Sequence, residues 1–227
     1  MAKRIGILGG ISHESTIKYY ELILRKYFEK YRDYYYPEMV IFSLGFQKFT
    51  DFENNGDKEG YVKYIMEGIR NLENANVDFI IMAANSPHAV FEEVKKMAKV
   101  PMISIAEVTA AKAKQEELKK LLLLGIKFTM QSTFYKEVCK RYGIEVMTPS
   151  ESEQNEINRI IFDELCIGKF KDESKMELLR IIDNYEVEAV ILGCTELPLI
   201  LKQKDSSKKL LNTLELHADA ALDYALK

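Results

Sequence analysis

Short apolar runs alternate along the chain with longer stretches in which apolar residues recur every three or four positions. Runs such as Phe79–Met82 are typical of strands buried on both faces of a parallel sheet, and the longer stretches are typical of amphipathic helices. This alternation predicts βα units and an α/β fold. The pattern predicts strands at Arg4–Leu8, Met39–Leu44, Phe79–Ala83, Met102–Ile105, Lys120–Leu124, Glu145–Met147 and Ala189–Leu192. It predicts helices at Ser15–Tyr31, Lys58–Asn74, Ala89–Ala98, Glu107–Glu117, Gln131–Tyr142, Glu151–Gly168, Lys175–Asn184 and Leu214–Leu226.

The two halves of the chain repeat one arrangement of strands and turns. The strand that ends at Ala83 runs into Ala84, and half a chain later the strand before Gly193 runs into Cys194. Ligands of open α/β sheets bind at the carboxyl ends of the strands, where these turns lie. The repeat predicts two Rossmann-like parallel-sheet domains related by pseudo-twofold symmetry, with the active site in the cleft between them. We expect the first domain to comprise residues 1–104 and 208–227, and the second to comprise residues 105–207.

Composition narrows the possible partners. The chain is 47% hydrophobic and 30% charged with a net charge of −3, which argues against a nucleic-acid partner. No apolar run is long enough to span a membrane, and the N-terminus has no signal-peptide pattern, so we predict a cytoplasmic protein without a membrane partner. The three cysteines are widely spaced, which argues against a disulfide framework. The three histidines lie far apart in sequence, so we predict no metal site.

Cys194 lies where a buried strand meets a predicted helix. Thr195 is suited to the N-cap, and Pro198 is tolerated in the first helical turn. The N–H groups and the positive dipole end of a helix favour a thiolate, so we expect the thiol pKa to lie below its ordinary value of about 8.5. The same N–H groups could hold a substrate carboxylate. A buried structural cysteine is the alternative, and the repeat of the turn favours a catalytic one.

The matching turn in the first half carries polar side chains. Asn85 and Ser86 are candidate hydrogen-bond donors, with Ser86 as the N-cap before Pro87. Such a cap is compatible with ligand binding. His88 either forms a local hydrogen bond that steadies the turn or helps in proton transfer. The glycines that end at Gly10 do not fit a dinucleotide motif and indicate close approach to a small ligand or a tight turn.

Several motifs resemble those of one enzyme family. The segment from Ile5 to Thr16 resembles the opening of amino-acid racemases of the aspartate/glutamate type. Asn85-Ser86-Pro87-His88 is similar to their Asn-Thr-x-His element, and Gly193-Cys194-Thr195-Glu196 is similar to their second catalytic element. Phe128-Thr129-Met130 and Glu164–Gly168 look like the branch that acts on both aspartate and glutamate.

The resemblance implies a homodimer that racemises acidic amino acids without pyridoxal phosphate, metal or any other cofactor. In this family two cysteines flank the α-carbon of the substrate, one as base and the other as acid. Cys194 matches the second of them, with His88 and Glu196 as polar helpers near the proton-transfer positions. The resemblance also implies substrate-binding residues, namely Gly10, Ser12, Asn85, Ser86, Thr129 and Thr195.

The first cysteine of the family pattern is missing, because Ala84 occupies its position. Three accounts are open. The alanine is an introduced replacement, or His88, Ser86 or an ordered water serves the vacant face, or the enzyme performs one-sided proton chemistry. We predict a cofactor-independent isomerase that acts on aspartate, glutamate or both through Cys194, with an activity that is weakened or altered by Ala84. The alternatives are a one-cysteine lyase, decarboxylase or isomerase on a related carboxylic acid, and a catalytically silent protein that binds dicarboxylates.

Overall fold

The computed structural model describes residues 2–227, in which eight strands alternate with eleven α-helices. The strands are β1 (Ile5–Gly9), β2 (Met39–Ser43), β3 (Phe79–Met82), β4 (Met102–Ile103), β5 (Lys120–Leu124), β6 (Glu145–Met147), β7 (Ala189–Leu192) and β8 (Lys209–Asn212). The helices are α1 (His13–Tyr31), α2 (Phe46–Asn55), α3 (Lys58–Asn74), α4 (Phe91–Met97), α5 (Ile105–Gln115), α6 (Lys127–Gln131), α7 (Phe134–Arg141), α8 (Glu151–Asp163), α9 (Asp172–Asp183), α10 (Leu197–Ile200) and α11 (Thr213–Ala225). Short 3₁₀ helices cover Ser86–Val90, Leu165–Ile167 and Gln203–Asp205.

The strands form two parallel sheets of four. The first has the order β2-β1-β3-β4 and the second has the order β6-β5-β7-β8, so both sheets repeat one topology. In each sheet the two central strands are almost wholly buried, as their continuous apolar sequences predict. The α/β fold with two parallel sheets is therefore confirmed.

The chain divides into two compact units, one of residues 1–105 with 214–227 and the other of residues 106–213. The predicted boundary at residue 208 differs from the structure, because β8 pairs with β7 in the second sheet. The strand Lys209–Asn212 was not predicted, since its polar ends and its position at the edge leave only two apolar residues as a signal. The last helix, α11, packs with the first unit.

Alternating side chains of the first sheet enter two apolar clusters on its opposite faces. Leu8 and Ile80 pack with residues of α2 and α3, whereas Ile7 and Ile81 pack with residues of α1 and α11. A side-chain period of two along a strand places neighbours on opposite faces, which explains this division. Each aliphatic side chain buried in this way contributes about 1.5–3 kcal/mol to the free energy of unfolding.

Two helices differ from their predicted bounds. The helix expected at Gln131–Tyr142 begins only at Phe134, as α7, because Ser132 has an extended backbone (φ −71°, ψ 153°) that ends α6 at Gln131. The helix expected at Glu151–Gly168 ends at Asp163, before a 3₁₀ turn that closes at Gly168 with φ 72°. Helix α2 was not predicted, and Phe49 is its one fully buried residue. No helix within residues 2–227 is long and apolar enough to cross a bilayer.

Candidate active site

Cys194 lies at the carboxyl end of β7, one residue beyond Gly193, and its side chain is buried. The Sγ atom lies 2.9 Å from Oε2 of Glu196, and Thr195 Oγ1 donates to the same carboxylate oxygen at 2.8 Å. Glu196 is itself buried, with 5% of its surface exposed. The structure thus brings together the three consecutive residues that the resemblance assigned to the site, with the thiol as hydrogen-bond donor to the carboxylate.

The surroundings of Cys194 raise its pKa well above the ordinary value for a thiol. Burial is the largest cause, followed by the charge of Glu196 and by the hydrogen bond to it. The sequence-based expectation of a lowered thiol pKa is therefore wrong. Its N-cap assignment is also wrong, because Glu196 and not Thr195 is the N-cap of α10, although Pro198 does lie in the first turn. A helix of four residues has a weak dipole, and a carboxylate in direct contact outweighs it.

Thr129 presents a buried hydroxyl beside the same turn. It lies in α6, after β5, and a Cβ atom built on Gly193 would lie 3.6 Å from its Cγ2 atom. Gly125, at the end of β5, packs so tightly that a Cβ atom there would lie 2.9 Å from the carbonyl oxygen of Gly193. Within the described residues, Oγ1 of Thr129 has no hydrogen-bond partner although it is buried. Buried polar atoms are usually paired, so this hydroxyl fits a site that a ligand completes.

Ala84 occupies in the first sheet the place that Cys194 has in the second, since β3 and β7 are corresponding strands. Its side chain is buried in an apolar cluster. Asn85 is the N-cap of the following 3₁₀ helix, so the prediction that Ser86 would be the cap is wrong. Pro87 lies in the first turn. Asn85 and Ser86 are both buried.

His88 connects the Ala84 turn to the start of α5. Its Nε2 accepts a hydrogen bond from the N–H of Ile105 at 3.1 Å, so Nδ1 carries the proton and donates to the carbonyl oxygen of Ala84 at 3.0 Å. The pKa of His88 is lowered well below 6.5, first by burial and then by His217. With its ring neutral and both nitrogens engaged, His88 steadies the turn, which was one of the two roles that the sequence left open.

The turn after β1 holds the other two predicted residues of the first unit. Gly10 has φ 82°, and a Cβ atom on it would lie 2.2 Å from the carbonyl oxygen of Leu44, so only glycine fits. Its N–H donates to Oγ1 of Thr16 at 2.8 Å. The same Thr16 hydroxyl donates to the carbonyl oxygen of Ser12 at 2.9 Å. Because β1 and β3 are neighbouring parallel strands, Gly10 and Ser12 lie on the same side of the sheet as Ala84, at the carboxyl ends of the strands.

Glu53 is a polar residue of this edge that the sequence did not reveal. It lies in α2 and accepts a hydrogen bond from Tyr61 Oη at 2.7 Å, and the hydroxyl of Ser86 acts on the pKa of its carboxyl group. Its pKa is raised from the ordinary carboxyl value by burial, against the lowering effect of these two hydroxyls. Since α2 was not predicted and Glu53 is far from Ser86 in sequence, no local pattern could have revealed this effect.

No three His, Cys, Asp or Glu side chains of residues 2–227 are arranged to hold a metal ion.

A family model described as Asp/Glu/hydantoin racemase matches residues 8–221, which include parts of both units. The chain belongs to this racemase family. It is 30% identical over 207 residues to the broad specificity amino-acid racemase RacX of Bacillus subtilis, covering 87% of each chain. An aspartate racemase homologue from Pyrococcus horikoshii is 40% identical with a TM-score of 0.87, over 99% of this chain and 100% of that one. A putative Asp/Glu racemase from Yersinia pestis is 31% identical with a TM-score of 0.91, over the same shares.

Membership of the racemase family confirms the resemblance that the motifs indicated. The matched region contains the Ala84 and Cys194 turns, and the high structural similarity extends over almost the whole chain. Both units therefore have the architecture of Asp/Glu racemases.

Proposed function

We propose that this protein is a racemase that exchanges the α-proton of aspartate or glutamate, with the thiol of Cys194 as its acid and base. The observation that carries the proposal is the buried thiol at the carboxyl end of β7, hydrogen-bonded to Glu196. General acids and bases are commonly found where burial and a nearby charge perturb their pKa. Membership of the racemase family supports the reaction class.

The raised pKa of Cys194 sets which form of the thiol starts the reaction. At neutral pH the free protein holds the protonated thiol, which can deliver its proton to a carbanionic α-carbon. The opposite direction requires the thiolate, which Glu196 disfavours by its charge and by accepting the hydrogen bond of the thiol. We therefore assign Glu196 the role of holding the thiol in its acid form and in a fixed orientation.

The polar groups near the two turns are suited to an amino-acid substrate. In this proposal the hydroxyl of Thr129 donates to a substrate carboxylate. The hydroxyl of Thr195, whose proton goes to Glu196, accepts from the substrate ammonium group, and Asn85 binds the carboxylate or the ammonium group. Gly10 and Ser12 would contact the substrate through the backbone of their turn. The homodimer, the cytoplasmic location and the independence from cofactors stay predictions.

Hydrogen–deuterium exchange tests the proposal directly. The protein is incubated in D₂O with each enantiomer of aspartate and of glutamate, and the α-proton signal and the enantiomer ratio are followed by NMR and chiral chromatography. We expect exchange that is lost in Cys194→Ser, because serine keeps the shape and loses the acidic thiol. Exchange that persists unchanged in Cys194→Ser would contradict the assignment of this residue.

Ala84→Cys is the second test, because it supplies the thiol of the family pattern. We expect racemisation to rise at least about 10²-fold, the usual contribution of a positioned acid or base. Ala84→Ser, which adds a side chain of nearly the same size without a thiol at this buried position, is the control for side-chain size. A Cys variant that is folded and no faster than the parent would count against a racemase site that is complete apart from residue 84.

Ala84 favours a second candidate, a one-cysteine decarboxylase or isomerase that handles protons on one face only. Such an enzyme would exchange the α-proton of one enantiomer with retention and would produce none of its mirror image. In a dicarboxylate-binding protein without catalysis, the bound dicarboxylate would protect Cys194 from alkylation, and no α-proton would be exchanged. The D₂O experiment therefore separates all three functions.

A further inference from the structure

Helices α3 and α4 of the first unit are tied together at both ends. At one end Lys58, the first residue of α3, forms an ion pair with Glu93 of α4. At the other end the N–H of Lys99, just beyond α4, donates to the carboxylate of Glu73 near the end of α3 at 2.5 Å. Since start meets start and end meets end, the two helices run side by side in the same direction.

An open groove with an apolar lining lies between α3 and α4. Its volume is about 800 Å³, which is within the range of ligand-binding clefts. The apolar lining consists of Val62 and Met66, one helical turn apart on α3, and of Met97 on α4. Met66 is buried, whereas Met97 is 46% exposed, so solvent reaches part of this lining. Methionine side chains are flexible and adapt to apolar partners of varied shape.

Three cations line the α3–α4 groove without an acidic partner. Lys63 and Arg70 of α3 and Lys96 of α4 form no ion pair within residues 2–227. The ion pair at the end of the groove cancels its own charge, and Glu59 is the other carboxylate of the lining. Cations of the lining therefore outnumber carboxylates by two, although the whole chain has a net charge of −3. This local excess favours an anionic ligand.

The shape and charge of the groove suit a helix better than a small molecule. From Lys58 to Arg70 the helix α3 lines the groove over about 18 Å, or about three turns. Lys63 and Arg70 are seven residues apart, which separates them by about 10.5 Å along the helix axis. Carboxylates at the same spacing on a second helix would pair with both cations. Apolar residues at every third or fourth position of that helix would cover the apolar lining.

We propose that the α3–α4 groove docks an acidic amphipathic helix of a partner protein. The apolar face of that helix lies on Met66 and Met97, and its carboxylates pair with Lys63, Arg70 and Lys96. Burial of the methionine side chains supplies affinity, and the charges fix the orientation and discriminate against basic partners. The groove belongs wholly to the first unit, and the inference does not depend on the proposed racemase activity.

Fluorescence anisotropy of a labelled synthetic peptide tests the proposal with the full chain. The peptide has about 15 residues, enough to form a helix, with leucine at every third or fourth position and glutamate on both sides of the leucine face. A second peptide has lysine in place of each glutamate. We expect the acidic peptide to bind saturably and the basic one to bind at least about 10-fold more weakly. Added salt should weaken the binding of the acidic peptide, because salt screens exposed charges.

Two adjacent lysines of α4 provide a matched pair of variants. Lys96 lines the groove, whereas Lys95 does not and lies 5.7 Å from the ring centroid of Phe91. Both lysines are exposed, so Lys96→Glu and Lys95→Glu change the net charge equally. We expect Lys96→Glu to weaken binding of the acidic peptide about 10-fold and Lys95→Glu to leave it near the parent value. Equal losses would indicate only a long-range effect of net charge and would overturn docking in the groove.

The methyl signals of the methionines locate the bound peptide. In protein that is isotope-labelled at the methionine methyl groups, the NMR signals of Met66 and Met97 should shift when the acidic peptide is added. Met176 is 66% exposed in the second unit and is the internal control, because non-specific adhesion to exposed apolar side chains would shift its signal as well. A shift of Met176 without shifts of Met66 and Met97 would contradict the proposed location.

Other occupants of the groove would give different results. A second copy of this chain would appear in sedimentation as a dimer that Lys96→Glu dissociates. A single-chain amphiphile, with dodecanoate as the probe, would shift Met97 where the acidic peptide does not. Either result would overturn the proposal of a partner helix, and so would the absence of saturable peptide binding up to about 1 mM. All these experiments measure binding, so their outcome is independent of whether the protein exchanges α-protons.

Discussion

Replacing His88 by phenylalanine tests whether this histidine holds the Ala84 turn through its two hydrogen bonds. Phenylalanine keeps the ring that stacks on Phe91 at 5.3 Å between centroids, so little cavity is created. What is lost is the pair of hydrogen bonds to the carbonyl oxygen of Ala84 and from the N–H of Ile105. The variant therefore measures the hydrogen bonds apart from the packing.

The structure sets the size of the expected effect. Both backbone groups are buried, and a buried group that loses its partner costs about 1–3 kcal/mol. Two such groups give a loss of about 2–4 kcal/mol in the free energy of unfolding, if one of them finds partial compensation. This is a large share of the roughly 5–15 kcal/mol that stabilises a typical domain, and the variant should still fold.

The pH dependence of stability gives a second signature. The pKa of His88 is lowered in the folded protein, so its contribution is present above the unfolded pKa of about 6.5 and is lost as the pH falls below it. His88→Phe should therefore flatten the loss of stability below pH 6.5. His217, whose pKa is lowered to about 4, should maintain a residual slope in the variant.

Urea unfolding followed by circular dichroism at pH 7 and pH 5.5 measures both effects. His13→Ala is the control, since the side chain of His13 is 75% exposed, and its free energy of unfolding should change by less than about 0.5 kcal/mol. A loss below about 1 kcal/mol in His88→Phe would refute the hydrogen-bond argument. An unchanged slope between the two pH values would refute the assignment of a neutral ring.

Two further predictions concern the second unit. Glu164 is 2% exposed, and its pKa is lowered to about 2, chiefly by the hydrogen bond from Ser174 and then by Arg159. The ionised carboxylate therefore stabilises the fold above the unfolded pKa, and this contribution is lost as the pH falls towards 2. Glu164→Gln should cost about 1–3 kcal/mol in urea unfolding at pH 7, with the difference from the parent shrinking below pH 4.5, and a constant difference would contradict the titration. Ser150 accepts from the N–H of Glu153 in the capping box of α8, so Ser150→Ala should lower the free energy of unfolding by about 1 kcal/mol without changing α-proton exchange.

The strands were predicted correctly where a continuous apolar run is buried, and a strand was missed where the apolar run is short. The run from Lys120 to Leu124 and the run from Ala189 to Leu192 were predicted to the residue, because a buried parallel strand has apolar residues on both faces. Lys209–Asn212 has apolar residues at only its two middle positions, and tertiary pairing with β7 decides its conformation. The missed strand moved the predicted domain boundary by several residues.

The residues of the candidate site could likewise be predicted only in part. Cys194, Thr195 and Glu196 are consecutive, so a local motif was sufficient to group them, and the structure joins all three by hydrogen bonds. Glu53 lies in α2, far from Tyr61 and Ser86 in sequence, and a single sequence contains no sign that these groups act on its carboxylate. Sequence therefore reveals the residues of a turn, whereas the groups that approach the turn from other elements require the fold.

The pKa of the Cys194 thiol was predicted wrongly because the position of a residue before a helix does not reveal its burial or its neighbours. Sequence placed Cys194 before a helix, and from that position alone a lowered pKa followed. The structure shows a helix of four residues, a buried sulfur atom and a carboxylate oxygen 2.9 Å away. Desolvation and the adjacent negative charge both penalise the thiolate, and a single helical turn cannot offset them. A thiol held protonated in this way is suited to give a proton. In that direction of the proposed racemisation another group must take the α-proton, and Cys194 acts as the base only in the opposite direction, as the thiolate. The requirement for a separate base is thus set by the geometry of Cys194 as well as by the alanine at position 84.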